Sequence, residues 1–312
     1  MSKPEEPIYY GGQAVMEGVM MRGRKNYAMA VRAPDGQITM IEKELSTLAM
    51  RYPILKWPLV RGAYALCSSI ALGFSTLSKS ADIALSEEEE PTSRVEKWIV
   101  EKFGDKLNTI ITTLAMVIAV IMAVGLFMLL PTFLASLVPV PDAFIGVVEG
   151  FVRIAIFVGY VFVISRNKEI QRVFQYHGAE HKAINCYEQN LPLTTENVAA
   201  CNRLHKRCGT SFMLVVMVVT MVLFMIIRID GIWLRLASRI VLLPLIAGLS
   251  YEISVKWAGR RDNWLVKAII VPGMLIQKIT TKEPDDKQIE VAVRALERAV
   301  EQDNPAPATA EI

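Results

Sequence analysis

Four long apolar runs set the pattern of this chain. Residues 108–130 and 144–164 are each about as long as a helix must be to cross a hydrocarbon core of about 30 Å. After a polar segment, two more runs occupy residues 212–227 and 232–249. The pattern predicts a mainly α, multi-pass membrane protein with about four transmembrane helices.

The first 50 residues follow a different pattern. Two short strand-like runs within residues 27–45 flank the sequence Ala-Pro-Asp-Gly, which is typical of a β-hairpin turn. The preceding block, residues 9–24, is rich in glycine and is predicted to be a folded turn packed under a sheet. Because an isolated hairpin is marginal in water, we expect residues 1–50 to form a small α+β cap.

The pattern divides the chain into seven segments, which are 1–50, 51–107, 108–165, 166–211, 212–250, 251–303 and 304–312. Residues 51–107 are predicted to form amphipathic or interfacial helices with an acidic linker at 86–94. Residues 264–279 are apolar but short, so we expect them to pack at the surface or to insert partially. Asp285 or Asp286 is expected to cap a C-terminal helix, and a disordered tail follows that helix.

Composition agrees with a membrane protein. Hydrophobic residues are 53% of the 312 residues and charged residues are 21%, which is too apolar for an ordinary soluble protein of this size. The lipid bilayer is therefore an expected partner. The net charge of +3 is small and no basic stripe is interleaved with aromatic residues, so no nucleic acid is expected to bind.

The distribution of basic residues predicts the orientation. Residues 131–143 contain no Lys or Arg, whereas residues 166–211 contain many. The positive-inside rule therefore predicts that both termini and the central polar segment face the cytoplasm. The four cysteines show no paired framework, which fits a reducing compartment.

The central polar segment, residues 166–211, carries the candidate chemistry. It contains all the histidines and most of the cysteines of the chain, namely His177, His181, His205, Cys186, Cys201 and Cys208. His177 and His181 form an H-x-x-E-H pattern with Glu180, and a helix would place both imidazoles on one face. In such a pattern the glutamate beside the second histidine is a general base, so Glu180 is the candidate catalytic residue.

A helical hairpin would supply the third ligand. Residues 189–193 are predicted to form a turn, and a second helix over 194–204 would be capped by Thr194 or Thr195. This hairpin would return His205 to the level of the H-x-x-E-H pattern. Three histidines could then hold a divalent metal ion such as zinc, with a fourth position open to water.

Other polar residues have weaker roles in this prediction. Gly178 would let the second helix approach closely. Glu188 lies about 10 Å further along the helix than His181, which is too far for a shared set of ligands on a straight helix. The residues considered for outer contacts with the metal site are Glu17, Gln13, Glu188 and Cys208.

Three alternatives compete with the histidine site. Cys186, Cys201 and Cys208 could join a histidine in a structural zinc site, although no C-x-x-C pair is present. A Cys–His nucleophile is another interpretation, but no oxyanion donor is identifiable. In the third, the segment is structural and the cysteines are buried free thiols. Glu180 would then pair with Lys182, Arg203 or Arg207, and His177 and His181 would only form hydrogen bonds with the loops.

Four blocks of the sequence resemble the motifs of the YqhQ-like family of bacterial membrane proteins. They are GGQAVMEGVMMRG (11–23), YHGAEHKAINCYE (176–188), RCGTSF (207–212) and TTKEPDD (280–286). The family is labelled a predicted metal-dependent enzyme, and the resemblance implies a bacterial inner-membrane protein of unspecified substrate. Carried over by position, the motif residues are Gly11, Gly12, Gln13, Glu17, Gly18, Arg22, His177, Glu180, His181, Cys208 and Gly209.

Two functional hypotheses follow. The first is a metal-dependent hydrolase at the cytoplasmic membrane face, acting on a peptide or a lipid-derived substrate. The second is a non-enzymatic factor for membrane-protein biogenesis or complex assembly, with a structural His/Glu cluster. A transporter is less favoured, because the charged residues of the runs lie near their ends, at Glu149, Arg153, Arg235 and Arg239.

Overall fold

The computed structural model describes residues 10–45, 48–85, 106–227, 232–257 and 264–304. The strands are β1 (Gly11–Val15), β2 (Gly18–Arg22), β3 (Asn26–Arg32) and β4 (Ile38–Glu44). The helices are α1 (Leu48–Arg51), α2 (Val60–Ala84), α3 (Lys106–Val124), α4 (Leu130–Ser136), α5 (Asp142–Ile164), α6 (Lys168–Glu188), α7 (Thr195–Ala200), α8 (Gly209–Ile226), α9 (Ile232–Val241), α10 (Leu243–Tyr251), α11 (Trp264–Thr280) and α12 (Asp286–Asp303). Shorter helical turns are Pro53–Lys56, Gly125–Leu129 and Glu252–Trp257. The predicted acidic linker and the predicted tail after Asn304 lie outside the described residues.

The four strands form one antiparallel sheet in the order β1-β2-β3-β4. Val15 pairs with Gly18, which leaves Met16 and Glu17 as a two-residue turn. The glycine-rich block is thus the first hairpin of the sheet. The prediction that it packs beneath a sheet as a turn was wrong, because its apolar residues satisfy the period of a strand. The hairpin predicted within residues 27–45 is present as β3 and β4.

The sheet is covered on both faces, because successive residues of a strand point in opposite directions. Val19 and Met21 of β2 belong to a core that includes residues of α6 and α12. Met20, between them, belongs to a second core that includes Leu72 and Ile83 of α2. The central strands therefore join α6 and α12 on one side to α2 on the other.

Three helical stretches are long and apolar enough to cross a membrane, and they are Thr113–Ser136, Phe144–Ile164 and Gly209–Ile226. They confirm a mainly helical chain with candidate membrane spans. The first ends later than predicted, because helical structure continues past residue 130 to Ser136. Pro131 is tolerated there because it lies at the start of α4, after the π-helical turn Gly125–Leu129.

The fourth predicted span, residues 232–249, forms two helices instead of one. The first ends at Val241 and the next begins at Leu243. Pro244 has no N–H for the carbonyl of residue 240, and its ring opposes a continuous helix at this point. A fourth membrane crossing therefore stays a prediction.

The chain divides into two compact units, of which one comprises residues 1–86, 161–216 and 243–312 and the other 87–160 and 217–242. The second unit contains a buried charge cluster. The Glu149 carboxylate accepts hydrogen bonds from Arg153 (2.5 Å), Arg239 and the hydroxyl of Thr132 (3.1 Å). Arg153 also donates through Nε to the carbonyl of Phe127 (3.0 Å). In a hydrocarbon environment such charges need partners of this kind.

The position of Arg153 corrects one expectation from the sequence. It is the tenth residue of the 21-residue stretch Phe144–Ile164, so it lies near the middle of that candidate span. The Phe127 carbonyl is available to Arg153 because residue 131, four positions later, is a proline. A proline has no N–H to donate to that carbonyl. The idea that charged residues occur only near the ends of the apolar runs was therefore wrong.

Candidate metal centre

The candidate site is built on α6. The side chain of Asn167 caps this helix by accepting from the backbone N–H groups of Glu169 (2.8 Å) and Ile170 (3.3 Å). Most of the residues from Tyr176 to Cys186 are buried, and this half of α6 packs on the sheet and on α12. Both histidines of the H-x-x-E-H pattern are in this half, so the fold holds them on a rigid element.

His177 and His181 lie side by side, with ring centroids 4.4 Å apart. Nδ1 of His177 is 2.9 Å from the carbonyl oxygen of Thr280, and Nδ1 of His181 is 2.7 Å from that of Arg203. A carbonyl oxygen can only accept, so each Nδ1 carries a proton, and in the neutral imidazole Nε2 then keeps its lone pair. This is the arrangement typical of histidines that bind a metal through Nε2.

Cys208 completes a group of three candidate ligands. Its Sγ is 3.4 Å from Nε2 of His177. The ligand atoms of His177, His181 and Cys208 all lie within 4.8 Å of one another. A nitrogen and a sulfur bound to one tetrahedral zinc ion lie about 3.5 Å apart, given Zn–N of about 2.0 Å and Zn–S of about 2.3 Å. The distance from Cys208 to His177 is close to this value, and the group is a candidate site for a single metal ion.

Burial supports a neutral imidazole at His181. His181 and Cys208 are buried, whereas His177 is half-buried and leaves the group partly accessible. Burial lowers the pKa of His181, although a hydrogen bond with Cys208 opposes that effect. The neutral imidazole is the form that binds a metal ion.

The end of α11 holds the site together. The last carbonyl groups of a helix have no partner within the helix. Here the carbonyl of Thr280 accepts from His177, and that of Thr281 accepts from Arg203. The backbone of Arg203 in turn accepts from His181, so one helix end supports both imidazoles.

Gln277 of α11 fixes the segment that leads to Cys208. Its side chain is fully buried. Its Oε1 accepts from the backbone N–H of His205, and its Nε2 donates to the carbonyl of His205 and to Oγ of Ser211, each at 2.9 Å. This amide therefore attaches the chain on both sides of Cys208 to α11.

His205 is near this group but faces elsewhere. Its ring centroid is 5.7 Å from that of His181. Its Nε2 lies 3.4 Å from the carboxylate of Glu188, which also bonds Arg207. The group of three ligand atoms therefore contains Cys208 in the place that the sequence assigned to His205.

The reason is the early end of the second helix. The turn after α6 and the cap at Thr194 are present as predicted, but α7 ends at Ala200. The side chain of Asn202 accepts from the N–H of Leu204 (2.9 Å), and Asn185 of α6 donates to the carbonyls of both residues. These side chains replace the helical hydrogen bonds. The predicted helix over 194–204 was therefore wrong in its second half.

The predicted role of Gly178 was also wrong. A Cβ added at this glycine would collide with the carbonyl oxygen of Lys282 and lie 3.5 Å from Pro284. Gly178 therefore allows the segment after α11 to pack closely on α6. The close contact is not with α7.

Glu180 points from α6 toward β1. It is buried and forms a hydrogen bond with the backbone of Gly12. A Cβ on Gly12 would lie 2.9 Å from the Glu180 carboxyl carbon, so the glycine makes room for this side chain. Burial raises the pKa of Glu180, while His177, His205 and the Gly12 N–H favour its charged form.

The two candidate outer residues from the sheet have other partners. Arg172 donates to both carboxylate oxygens of Glu17, and the Tyr176 hydroxyl donates to the same group (3.2 Å). Gln13 donates to the carbonyl of Gly73 on α2 (3.3 Å). These contacts attach the first hairpin to α6 and α2.

The three cysteines of the segment do not form one site. Cys186 and Cys201 belong to the core between α6 and the sheet, whereas Cys208 lies with the two histidines. Burial and the neighbouring Cys201 thiol raise the pKa of Cys186 to about 11. That result agrees with the interpretation of Cys186 and Cys201 as buried free thiols.

Sequence reasoning missed the supports from α11. Thr280 is the first residue of the TTKEPDD block, so the family resemblance was one available signal for it. Gln277 precedes that block, and nothing in the local sequence pointed to it. Arg203 acts through its backbone carbonyl, which the identity of a side chain does not indicate.

Comparisons with known proteins give the family. Residues 57–302 match the model described as "Protein of unknown function (DUF1385)". The chain is 37% identical over 302 residues to "Uncharacterized protein YqhQ" of Bacillus subtilis (strain 168), which covers 95% of this chain and 93% of that protein. No solved structure matches the chain.

Proposed function

This chain belongs to the DUF1385 family, and we propose that it is a membrane-bound, metal-dependent hydrolase. The observation that carries the proposal is the convergence of His177, His181 and Cys208 within 4.8 Å, with both Nδ1 atoms bonded to carbonyls. Two imidazoles and a thiolate form a borderline-soft donor set that suits zinc.

Three protein ligands leave a fourth position of a tetrahedral ion open, as in catalytic zinc sites. A metal ion there supplies Lewis acidity and lowers the pKa of bound water. Glu180 is the residue expected to accept a proton, because its carboxylate interacts with His177 from the same helix. The half-buried His177 provides the accessible side of the group.

The position of Cys208 favours a substrate at the membrane boundary. Cys208 directly precedes Gly209, the first residue of a candidate span. A bond near the surface of the bilayer, in a membrane-inserted peptide or a lipid, is therefore the proposed target.

Metal analysis of the purified full chain tests the ligand set. We expect about one zinc per chain, lost in His177→Ala and Cys208→Ser and retained in the matched variant Cys186→Ser. His205→Ala separates this set from the three-histidine alternative, because it is expected to keep the metal. Loss of zinc in His205→Ala with retention in Cys208→Ser would overturn the proposed ligands.

Turnover tests the catalytic part. The zinc-loaded chain in nanodiscs would be assayed against ester and peptide reporters inserted in the membrane. Glu180→Gln preserves an acceptor for the Gly12 N–H, so it is expected to keep zinc and to lose turnover. Zinc binding without turnover on either class of reporter would instead favour a structural site in a membrane-assembly factor.

We also propose that the site and both termini face the cytoplasm. Support comes from the absence of Lys and Arg in residues 131–143, compared with the many basic residues in 166–211. Reporter fusions after residues 139 and 190 test this orientation. A cytoplasmic signal at 139 would contradict it.

A further inference from the structure

Helix α2 presents a row of large apolar side chains to its surroundings. We name this row the outer stripe, and its members are Val60, Cys67, Ile70, Phe74 and Leu77. Their spacing of three, four or seven residues places them on one side of the helix. Ile70 is 63% exposed and Phe74 is 44% exposed, so the packing of this unit does not cover the stripe.

The side of α2 that faces the protein combines small and large residues, and Leu72 and Ile83 pack there against the second core. The residues that α2 buries are Gly62, Thr76 and Ser80. Ser80 accepts a hydrogen bond from the backbone N–H of Met16 (3.1 Å). Apolar residues therefore lie on both sides of α2, whereas a surface helix of a water-soluble protein has a polar outer side. A helix that is apolar on both sides is typical of a protein core or a membrane span.

The length and ends of the stripe also match a bilayer. No charged residue occurs between Arg61 and Lys79. At a rise of 1.5 Å per residue this interval is about 26 Å long, close to a hydrocarbon core of about 30 Å. Just before it, Trp57 and Tyr52 are 61% and 48% exposed, as expected for aromatic residues at a membrane surface.

We propose that the outer stripe of α2 lies against the acyl chains of the bilayer. The three stretches that qualify as spans by hydropathy do not include α2. The glycine, serine and threonine residues of α2 lower its average hydropathy and explain that result. The sheet would then be attached to the membrane through α2, which packs on β1 and β3.

Cys67 is a native probe for this contact, since it is the exposed cysteine while the other three are buried. The full chain would be labelled at Cys67 with a bimane fluorophore and placed at one chain per nanodisc. A second stripe position is provided by Cys67→Ala with Phe74→Cys. The control is Cys67→Ala with Thr39→Cys, on the exposed side of β4.

Lipids with nitroxide on the acyl chain are expected to quench both stripe labels, and aqueous iodide is expected to quench only the label at residue 39. Quenching of Cys67 by iodide would overturn the proposal by placing the stripe in water. Protection from both quenchers would also overturn it, because a protein would then cover the stripe.

Discussion

Replacement of Gln277 by methionine tests whether α11 positions the metal site. Methionine has similar length and helix propensity, so the change removes hydrogen bonds with little change in shape. It leaves the N–H and the carbonyl of His205 without the partner that now lies 2.9 Å from each. Both groups are in a buried residue.

The expected loss follows from those two groups. A buried backbone group left without a partner costs about 1–3 kcal/mol, so the free energy of unfolding should fall by about 2–6 kcal/mol. The segment before Cys208 would also be less fixed, and loss of a residue that orients a metal ligand lowers affinity about 10- to 100-fold. Zinc affinity is therefore expected to fall together with stability.

Two measurements check this expectation. The free energy of unfolding comes from an SDS titration of the chain in detergent micelles, and zinc affinity comes from competition with a chelator. Gln189→Met is the matched control, because Gln189 is exposed and its substitution should change stability by less than about 0.5 kcal/mol. If Gln277→Met equals wild type in both measurements, the argument that α11 positions the site is wrong.

Three further changes have separate expected outcomes. Glu149→Gln removes the negative charge between two guanidinium groups, so thermal unfolding should show a loss of about 3–5 kcal/mol; an unchanged melting temperature would contradict a structural role for the cluster. The hydrogen bond from Arg32 holds the pKa of Glu290 below its ordinary value. Its contribution is thus complete above the unfolded pKa of about 4.3 and is lost as pH falls through the folded pKa. Glu290→Gln should reduce the loss of stability at acid pH in pH-dependent melts, and an unaltered pH profile would refute this. Asp285→Ala removes the capping box of α12 and should cost about 0.5–2 kcal/mol, with faster amide exchange in the first turn; unchanged exchange would count against the cap.

The sequence was most informative where the signal is local. The apolar runs identified the three candidate spans, because crossing a bilayer requires a continuous apolar stretch. The spacing of His177 and His181 placed them on one helix face, because that relation depends only on helical geometry. A cap at Asp285 or Asp286 was predicted for a similar reason, and the structure gives that position to Asp285, whose partner Gln288 is three residues away.

The sequence was least informative about the third member of the site. His205 and Cys208 are only three residues apart, and both are metal-binding residue types. The choice between them depends on where α7 ends, which Asn202 and Asn185 decide through contacts with backbone groups. It also depends on Gln277, which is 72 residues from His205 in sequence. Neither effect has a local periodic signal.

The sequence by itself thus determined that this protein has apolar helices suited to a membrane and a helix with two histidines on one face. The tertiary structure decided that Cys208 joins those histidines and that both Nδ1 atoms bond to carbonyls. Hydrophobic length and helical spacing are properties of neighbouring residues. The convergence of ligands depends on α6, α8 and α11 packing together, so only the folded chain contains it.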